Sequence, residues 1–348
     1  MVLLKEMRDF RRKKKDVIVY AESSNYHPYL EGLIHQLNGN VSYITSDIED
    51  LHLRGPDAFY LSKLFPAFMA VANCKVFIMT LTDLNSFHIR RSFQPVHYIY
   101  VFHSPISTHM IYRQEAFDHY DSILCVGPHQ VEEIRKREKL YGLKPKRLIE
   151  TGYYRLERLY ASYKNYVKKD DRVTILIAPT WGPSNLLSIC GEELIESLLG
   201  EGYEVVLRLH PETVKKRLFL DYENVVLETS VVSMDSLAKA DILITDWSGI
   251  GLKYAFGTER PVIFIDTPPK VRNPKYKELG LEPIEVSLRD KVGIIVPPNN
   301  VKNIDTVIRE MLVEKEGWVD KLIELRSKYV FNFGKSSEVG ADYIKGLL

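Results

Sequence analysis

A histidine that could act as a base directly follows a predicted strand. Residues 98–102 form an apolar run that predicts a buried strand, and His103 stands at its carboxyl end. In open parallel sheets ligands bind at that edge. Because histidine changes charge near neutral pH, His103 is suited to take a proton from a substrate hydroxyl. The alternative is a histidine hydrogen-bonded into the structure, as is expected for most of the ten histidines.

A second segment has the pattern of a phosphate-binding turn. Residues 242–244 and 261–265 are apolar runs typical of parallel strands, and the residues between them predict a helix that ends at Gly257. Asp246 or Ser248 could cap this helix. Ser248 and Gly249 would place small residues at its N-terminus, where free N–H groups and the helix dipole attract phosphate. The alternative is that the same residues only cap and pack the helix.

A third segment offers cationic donors at the end of another strand. Residues 204–207 predict a strand, and Arg208 and His210 follow on the same side of it. A forked guanidinium beside an imidazole suits the charge of a diphosphate. Local hydrogen bonds at the strand edge are the alternative for this pair.

The elements that position these residues alternate between strands and helices in both halves of the chain. Strands are predicted at 17–21, 41–45, 76–80, 98–102, 122–126 and 147–150, with helices among them at 29–37, 62–71 and 132–141. The pattern restarts at residues 173–177, before a helix at 194–199. We therefore expect an α/β protein with two doubly wound sheets.

The length of 348 residues also favours two domains. The polar segment 162–172 is the expected linker, which gives domains at 1–168 and 169–348. Residues 301–348 show helical periodicity, and the final helix could pack back on the first domain. The triplet at 334–336, Gly-Lys-Ser, lacks the upstream glycine of a phosphate loop and predicts a turn.

Composition excludes several classes of protein. A formal net charge of +1 argues against a general nucleic-acid binder. Three widely spaced cysteines predict neither a zinc site nor disulfides and suit a cytoplasmic protein. No apolar run approaches the ~20 residues of a membrane span. A basic cluster at residues 8–15 could touch anionic lipid at the membrane surface, although a solvated terminus is the simpler expectation.

Three motifs together resemble one enzyme family. TILIAPTW at 174–181, RLHP at 208–211 and ITDWSG at 244–249 resemble, in order and spacing, the CDP-glycerol glycerophosphotransferases of teichoic-acid biosynthesis. In the first half, residues 102–105 resemble the family's Trp-His-Gly-Thr segment loosely, and residues 151–155 resemble its Gly-Tyr-Pro-Arg segment. The chain departs from the family pattern at Ser104, Pro105 and Gly249.

The resemblance implies a glycosyltransferase-B-like fold, in which two Rossmann-like domains face each other across a cleft. The donor nucleotide would lie on the second domain and the acceptor would approach from the first. The resemblance implies catalytic roles for His103, as base, and His210. Donor and phosphate binding is implied for a set of seven residues: Thr180, Trp181, Arg208, Thr245, Asp246, Ser248 and Gly249. No metal and no cofactor are expected.

The chemistry expected from this arrangement is in-line phosphoryl transfer. An acceptor hydroxyl on a lipid- or glycan-linked surface polymer, a teichoic acid or a capsule, would attack the distal phosphorus of a CDP-linked polyol, and CMP would leave. Such a reaction depends mainly on positioning and on charge stabilisation. Two alternatives remain open at this point: a glycosyltransferase of the same fold that uses a nucleotide sugar, and a non-catalytic nucleotide-binding partner in polymer assembly.

Overall fold

The first half of the chain folds around a seven-stranded parallel sheet. The computed structural model describes residues 15–54, 58–168, 171–215, 222–230 and 232–348. The sheet contains β1 (Val17–Ala21), β2 (Val41–Thr45), β3 (Ala58–Tyr60), β4 (Val76–Met79), β5 (His97–Val101), β6 (Ser122–Cys125) and β7 (Arg147–Glu150). Their order is β3-β2-β1-β4-β5-β6-β7, and every pair is parallel. The helices of this half are α1 (His27–Gln36), α2 (Ile48–Arg54), α3 (Phe65–Val71), α4 (Pro128–Tyr141) and α5 (Tyr154–Asn165).

The second half repeats this arrangement around a six-stranded parallel sheet. It contains β8 (Thr174–Ile177), β9 (Glu204–Arg208), β10 (Val225–Glu228), β11 (Ile242–Thr245), β12 (Val262–Ile265) and β13 (Gly293–Val296), in the order β10-β9-β8-β11-β12-β13. Its helices include α6 (Leu186–Gly200), α7 (Pro211–Lys215), α8 (Asp235–Lys239), α9 (Ile250–Thr258), α10 (Ile284–Ser287) and α11 (Arg289–Val292). The strand order reverses beside β1 and beside β8, so each sheet has a crevice at the carboxyl ends of its central strands. The predicted α/β fold with two doubly wound sheets is confirmed.

Several predicted elements need correction. The helix expected to end at Gly257 continues to Thr258, and Glu259 closes it in the left-handed conformation with φ of 56°. Gly257 instead lets α5 approach closely, since a Cβ there would lie 2.7 Å from Leu159 Cδ2. The expected linker at 162–172 begins inside a helix, because α5 extends to Asn165. The helix expected at 194–199 is part of the longer α6.

Of the three C-terminal helices, the first packs on the second half of the protein and the last returns the chain to the first sheet. They are α12 (Ile304–Val313), α13 (Lys315–Tyr329) and α14 (Ser336–Lys345). Gly340 of α14 packs so closely on α1 that a Cβ would lie 2.7 Å from Leu33 Cδ2. Tyr343 OH lies 2.5 Å from Ser122 Oγ in β6. We propose that the boundary between the two domains lies near residue 168, in the segment between α5 and β8.

The membrane-related predictions have different outcomes. Within the described residues, no helix is both long and apolar enough to cross a membrane. The basic cluster at 8–15 lies outside the described residues, apart from Lys15.

Candidate active site

His103 lies two residues after the end of β5, in a pocket of aromatic rings. The ring centroids of Tyr26 and Tyr112 are each 5.8 Å from that of His103, and the Tyr29 centroid is 6.1 Å away. Burial, and then the positive charge of Lys253, lower the pKa of His103 to about 4. The imidazole is therefore neutral at physiological pH and able to accept a proton.

Two buried carboxylates hold the loop that carries His103. Glu285, from the second half, accepts hydrogen bonds from Ser107 N at 2.8 Å and from Ser107 Oγ at 2.7 Å. Glu133 in α4 accepts hydrogen bonds from Thr108 N at 2.6 Å and from Thr108 Oγ1 at 2.7 Å. These charge-assisted bonds fix the loop before any substrate binds. Sequence reasoning missed both carboxylates, because their partners lie far away along the chain.

The N-terminus of α9 packs directly against this loop. A Cβ on Gly249 would lie 2.3 Å from Ser104 Oγ and 2.9 Å from Ile106 Cγ2, so glycine is required for the close approach. Ser248 precedes it, with Oγ 3.4 Å from Ile250 N. The first N–H groups of a helix have no acceptor within the helix. Those of α9 are therefore placed beside the loop that carries His103, as a phosphate-binding turn requires.

Asp246 and Thr245 organise this turn from inside the protein. Asp246 is 1% exposed and accepts hydrogen bonds from Thr180 N at 2.8 Å and Leu186 N at 3.0 Å. Asp246 therefore links the loop after β8 to the turn after β11. The prediction that Asp246 could cap α9 is wrong. Thr245 is fully buried, and its Oγ1 donates to Ala178 O at 2.6 Å. Both side chains are buried, so a ligand would not contact either of them easily.

Thr180 and Trp181 form a small cluster with His210 and a lysine that sequence reasoning missed. Lys270 Nζ donates to Thr180 Oγ1 and to Trp181 O, both at 3.1 Å, and lies 4.2 Å from the Trp181 ring centroid. The rings of Trp181 and His210 are 6.0 Å apart. Burial lowers the pKa of Lys270 to about 8 and that of His210 to about 4. The position of Lys270, shortly after β12, was the signal that could have identified it.

Arg208 makes its described hydrogen bonds within the second half. Its guanidinium is buried and donates to Glu228 Oε2 at 3.0 Å, to Ser236 Oγ at 2.9 Å and to Ser233 O at 3.0 Å. These bonds match the local alternative that the sequence left open. Direct contact between Arg208 and a phosphate stays a prediction. The positive charge of Arg208 still acts on Lys253 in the cleft.

A second missed lysine lies between the two halves. Lys253 Nζ in α9 is 5.7 Å from the Tyr29 ring centroid and 5.8 Å from that of Tyr153. Burial, followed by the charges of Arg155 and Arg208, lowers the pKa of Lys253 to about 7. Like charges that lower one another's proton affinity in this way favour the binding of an anion. Lys253 follows Gly249 by one helical turn, which is the sequence signal for its position.

Across the described ranges, no group of three or more His, Cys, Asp or Glu side chains is arranged to hold a metal ion. The prediction of metal-independent transfer stays a prediction.

Comparisons with known proteins agree with the fold and with the motifs. The model of the family described as CDP-glycerol:poly(glycerophosphate) glycerophosphotransferase matches residues 101–268, just under half of the chain. No curated protein matches the chain in sequence.

Solved structures show the same fold at low sequence identity. A structure of the wall teichoic acid polymerase TagF soaked with CDPG is 18% identical, with a TM-score of 0.64 over 99% of this chain and 93% of the other. A putative UDP-N-acetylglucosamine 2-epimerase from Listeria monocytogenes is 14% identical, with a TM-score of 0.62 over 95% and 96%. The glycotransferase of kitacinnamycin is 12% identical, with a TM-score of 0.57 over 96% and 99%.

These comparisons support the predicted fold, and the family match covers the predicted site. Residues 101–268 contain His103, the Arg208 and His210 pair and the turn at 245–249, so the family match spans every predicted site residue. The resemblance predicted from the motifs is thus confirmed, and over this region the chain matches the CDP-glycerol:poly(glycerophosphate) glycerophosphotransferase family.

Proposed function

We propose that this chain transfers a polyol phosphate, most simply glycerol phosphate, from a CDP-linked donor to an acceptor hydroxyl during the synthesis of a cell-surface polymer. One observation carries the proposal: the neutral His103 and the N-terminus of α9 meet across the cleft, in contact through Ser104 and Gly249. A base and a phosphate-binding turn are thus close enough to act on the same phosphoryl group.

The donor diphosphate would lie along the second half of the cleft. The N–H groups at Ser248 and Gly249 would bind one phosphate. Lys253 and Lys270 would neutralise the remaining negative charge of the donor, with His210 beside Lys270. The buried positive charge of Arg208 would add to their effect without direct contact. Because these groups are partly desolvated, each contact is worth more than the same contact in water.

The transfer itself needs one base and one stable leaving group. The acceptor hydroxyl would give its proton to the His103 imidazole while its oxygen bonds to the distal phosphorus. The bond from that phosphorus to the bridging oxygen would break, and CMP would leave with the negative charge. Since His103 is neutral down to about pH 4, it is ready to accept the proton across the physiological range.

The setting of the reaction belongs to the same proposal. We infer that the protein works in the cytoplasm and meets a lipid- or glycan-linked acceptor, with peripheral contact at the inner face of the membrane. The family match supports a CDP-glycerol donor and a polymer acceptor.

A donor panel tests the proposal. CDP-glycerol, CDP-ribitol, UDP-sugars and CMP-sugars would be compared for consumption by the wild type and by Lys253→Met. We expect CDP-glycerol to be consumed and the donor KM to rise about tenfold or more in Lys253→Met, because one charge-assisted contact is lost. Lys302→Met is the matched control, since Lys302 is exposed and pairs only with Glu193 among the described residues.

The panel also separates the alternatives. Consumption of a nucleotide sugar with CDP-glycerol inert would replace the proposal by sugar transfer on the same fold. Nucleotide binding without turnover of any donor would favour the non-catalytic partner in polymer assembly.

A further inference from the structure

A joint connects the two halves of the protein beside the proposed base. Residues 104–111, the loop that follows the base in the first half, are hydrogen-bonded to residues 272–285 of the second half. Met110 O accepts a hydrogen bond from Asn273 N at 3.1 Å, and Asn273 Nδ2 donates to His109 O at 2.9 Å. The second half thus holds this loop at two consecutive residues.

Two buried side chains add to the joint. Glu285 in α10 accepts both hydrogen bonds of Ser107, which is fully buried, at 2.8 Å from its N–H group and 2.7 Å from its hydroxyl group. The His109 ring contacts both halves: its Nε2 lies 3.2 Å from Leu281 O in the second half, and its Nδ1 lies 3.5 Å from Glu133 Oε2 in the first. Such buried polar groups are costly to separate, because each would lose its partner away from water.

The same loop is also held to the first half. Gln130 Nε2 in α4 donates to Ile106 O at 3.1 Å. Glu133, also in α4, accepts the two hydrogen bonds from Thr108. The loop therefore connects α4 to residues 272–285. The two halves cannot separate at this end of the cleft without breaking several buried hydrogen bonds.

The joint adjoins the contact between the loop and the phosphate-binding turn. Ile106 packs against Gly249, where an added Cβ would lie 2.9 Å from Ile106 Cγ2. The bonds from Glu285 hold the next residue, Ser107. Because His103 precedes Ser107 by only four residues, a displacement of Ser107 would change the distance between the base and the N–H groups of α9.

We propose that Glu285 is a positioning residue for the transfer. Although it belongs to the half that is proposed to bind the donor, it fixes the loop of the base, so His103 and the donor phosphate keep one separation while other parts of the cleft move. The two halves would then rotate about the joint and would not part there. This inference rests on the proposed function, because it assigns a further residue to the same reaction.

The two hydrogen bonds make a specific demand on residue 285. Glu285→Ala removes both acceptors and leaves the Ser107 N–H group buried without a partner. In Glu285→Gln, the amide oxygen can accept from Ser107 N, and the amide N–H can donate to Ser107 Oγ, because a hydroxyl group is both a donor and an acceptor. The conservative variant should therefore hold the loop in place without the charge.

The test is a comparison of kcat with the donor KM. CMP release would be measured with CDP-glycerol and a saturating, soluble oligo(glycerol phosphate) acceptor. We expect kcat to fall about tenfold or more in Glu285→Ala and the donor KM to change by less than about twofold, because a misplaced base slows the chemical step without removing a donor contact. Glu285→Gln should recover most of kcat.

Glu278→Gln provides the matched control. Glu278 also joins the two halves, since it accepts a hydrogen bond from Tyr141 OH at 2.9 Å, but it is exposed and bonds to α4 instead of the loop. Its kcat should equal that of the wild type. A wild-type kcat in Glu285→Ala would overturn the inference. An equal loss of kcat in Glu285→Gln would also overturn it, because the effect would then come from the charge and not from the position of the loop.

Hydrogen exchange separates a failure of the joint from a failure of the proposed function, because it needs no turnover. If the wild type releases no CMP from CDP-glycerol, the proposed function fails. The joint still predicts that amide exchange at residues 104–111 becomes about tenfold faster or more in Glu285→Ala and stays close to the wild type in Glu285→Gln. Unchanged exchange in Glu285→Ala contradicts the joint.

Ser107→Ala is the second variant, in case Glu285→Ala does not fold. It removes only the hydroxyl donor and keeps the bond from Ser107 N to Glu285. We expect a smaller fall in kcat, again with an unchanged donor KM. An unchanged kcat in a folded Ser107→Ala would then overturn the inference.

Discussion

Replacing Gly249 by alanine would press the two halves of the proposed site apart. The added Cβ would lie 2.3 Å from Ser104 Oγ and 2.9 Å from Ile106 Cγ2. The Ser104 hydroxyl can rotate away, so the larger cost comes from the buried Ile106, which packs in the core. Overpacking of this kind costs about 1–3 kcal/mol. Because one of the two contacts is easily relieved, we expect the free energy of unfolding to fall by about 1–2 kcal/mol.

The same shift should reduce activity more than stability alone would. Moving the α9 N–H groups relative to His103 misplaces the phosphate against the base, and small displacements of this kind are costly in rate. We expect kcat/KM for the CDP-linked donor to fall about tenfold or more at temperatures where the variant remains folded. Urea denaturation and CMP release would provide the two measurements.

Two further variants make this prediction specific. Gly317→Ala in α13 is the control: nothing lies within 4 Å of its added Cβ, so it should raise the free energy of unfolding by about 0.5–1 kcal/mol. In the double variant Gly249→Ala with Ile106→Ala, the clash with Ile106 disappears, so the two changes should cost less together than the sum of the single effects. Additive effects, or full activity in Gly249→Ala, would refute the contact between the loop and α9.

Three other predictions follow from the site. Asp246→Asn should cost about 1–3 kcal/mol of unfolding free energy in urea, because one amide oxygen replaces two acceptors for buried N–H groups; an unchanged midpoint would contradict this. Arg208→Gln should destabilise the protein by about 3–5 kcal/mol, because it leaves the partly buried Glu228 without its ion-pair partner. A variant with native stability and weakened donor binding would contradict this and favour direct contact between Arg208 and a phosphate. The rate profile of kcat/KM against pH should rise as His103 loses its proton near pH 4 and fall as Lys253 loses its proton near pH 7; a flat profile from pH 5 to 9 would argue against Lys253 as a phosphate ligand.

The central strands were predictable from sequence because their apolar runs are short, buried and bounded by polar residues. β1 and β2 have the predicted bounds, and so does β7, although β7 is an edge strand that is not buried. The edge strands Ala58–Tyr60 and Val225–Glu228 were missed, because apolar runs as short as theirs do not by themselves distinguish a strand from other structure. The end of α9 was misjudged because Gly257 serves close packing with α5 instead of terminating the helix.

The site was predictable where residues follow a strand directly, and less so where two halves of the chain combine. His103 and the turn at 245–249 are at strand ends, which the sequence displays. The rings around Lys253 come from α1 and from the residue before α5, and no local sequence pattern predicts that they lie together. For Arg208, the alternation of the strand predicted the side on which it lies but not its partly buried partner Glu228, which belongs to the neighbouring strand.

The most direct test of the account is CMP release from CDP-glycerol by the wild type, His103→Ala and His210→Ala, with and without EDTA, on a mixed panel of acceptors. The account predicts turnover that survives EDTA and falls by about 100-fold or more in His103→Ala, since a positioned base typically contributes that much. His210→Ala should show a fall of similar size if it stabilises the diphosphate in the transition state. Wild-type turnover retained in His103→Ala would contradict the central claim that this histidine is the base.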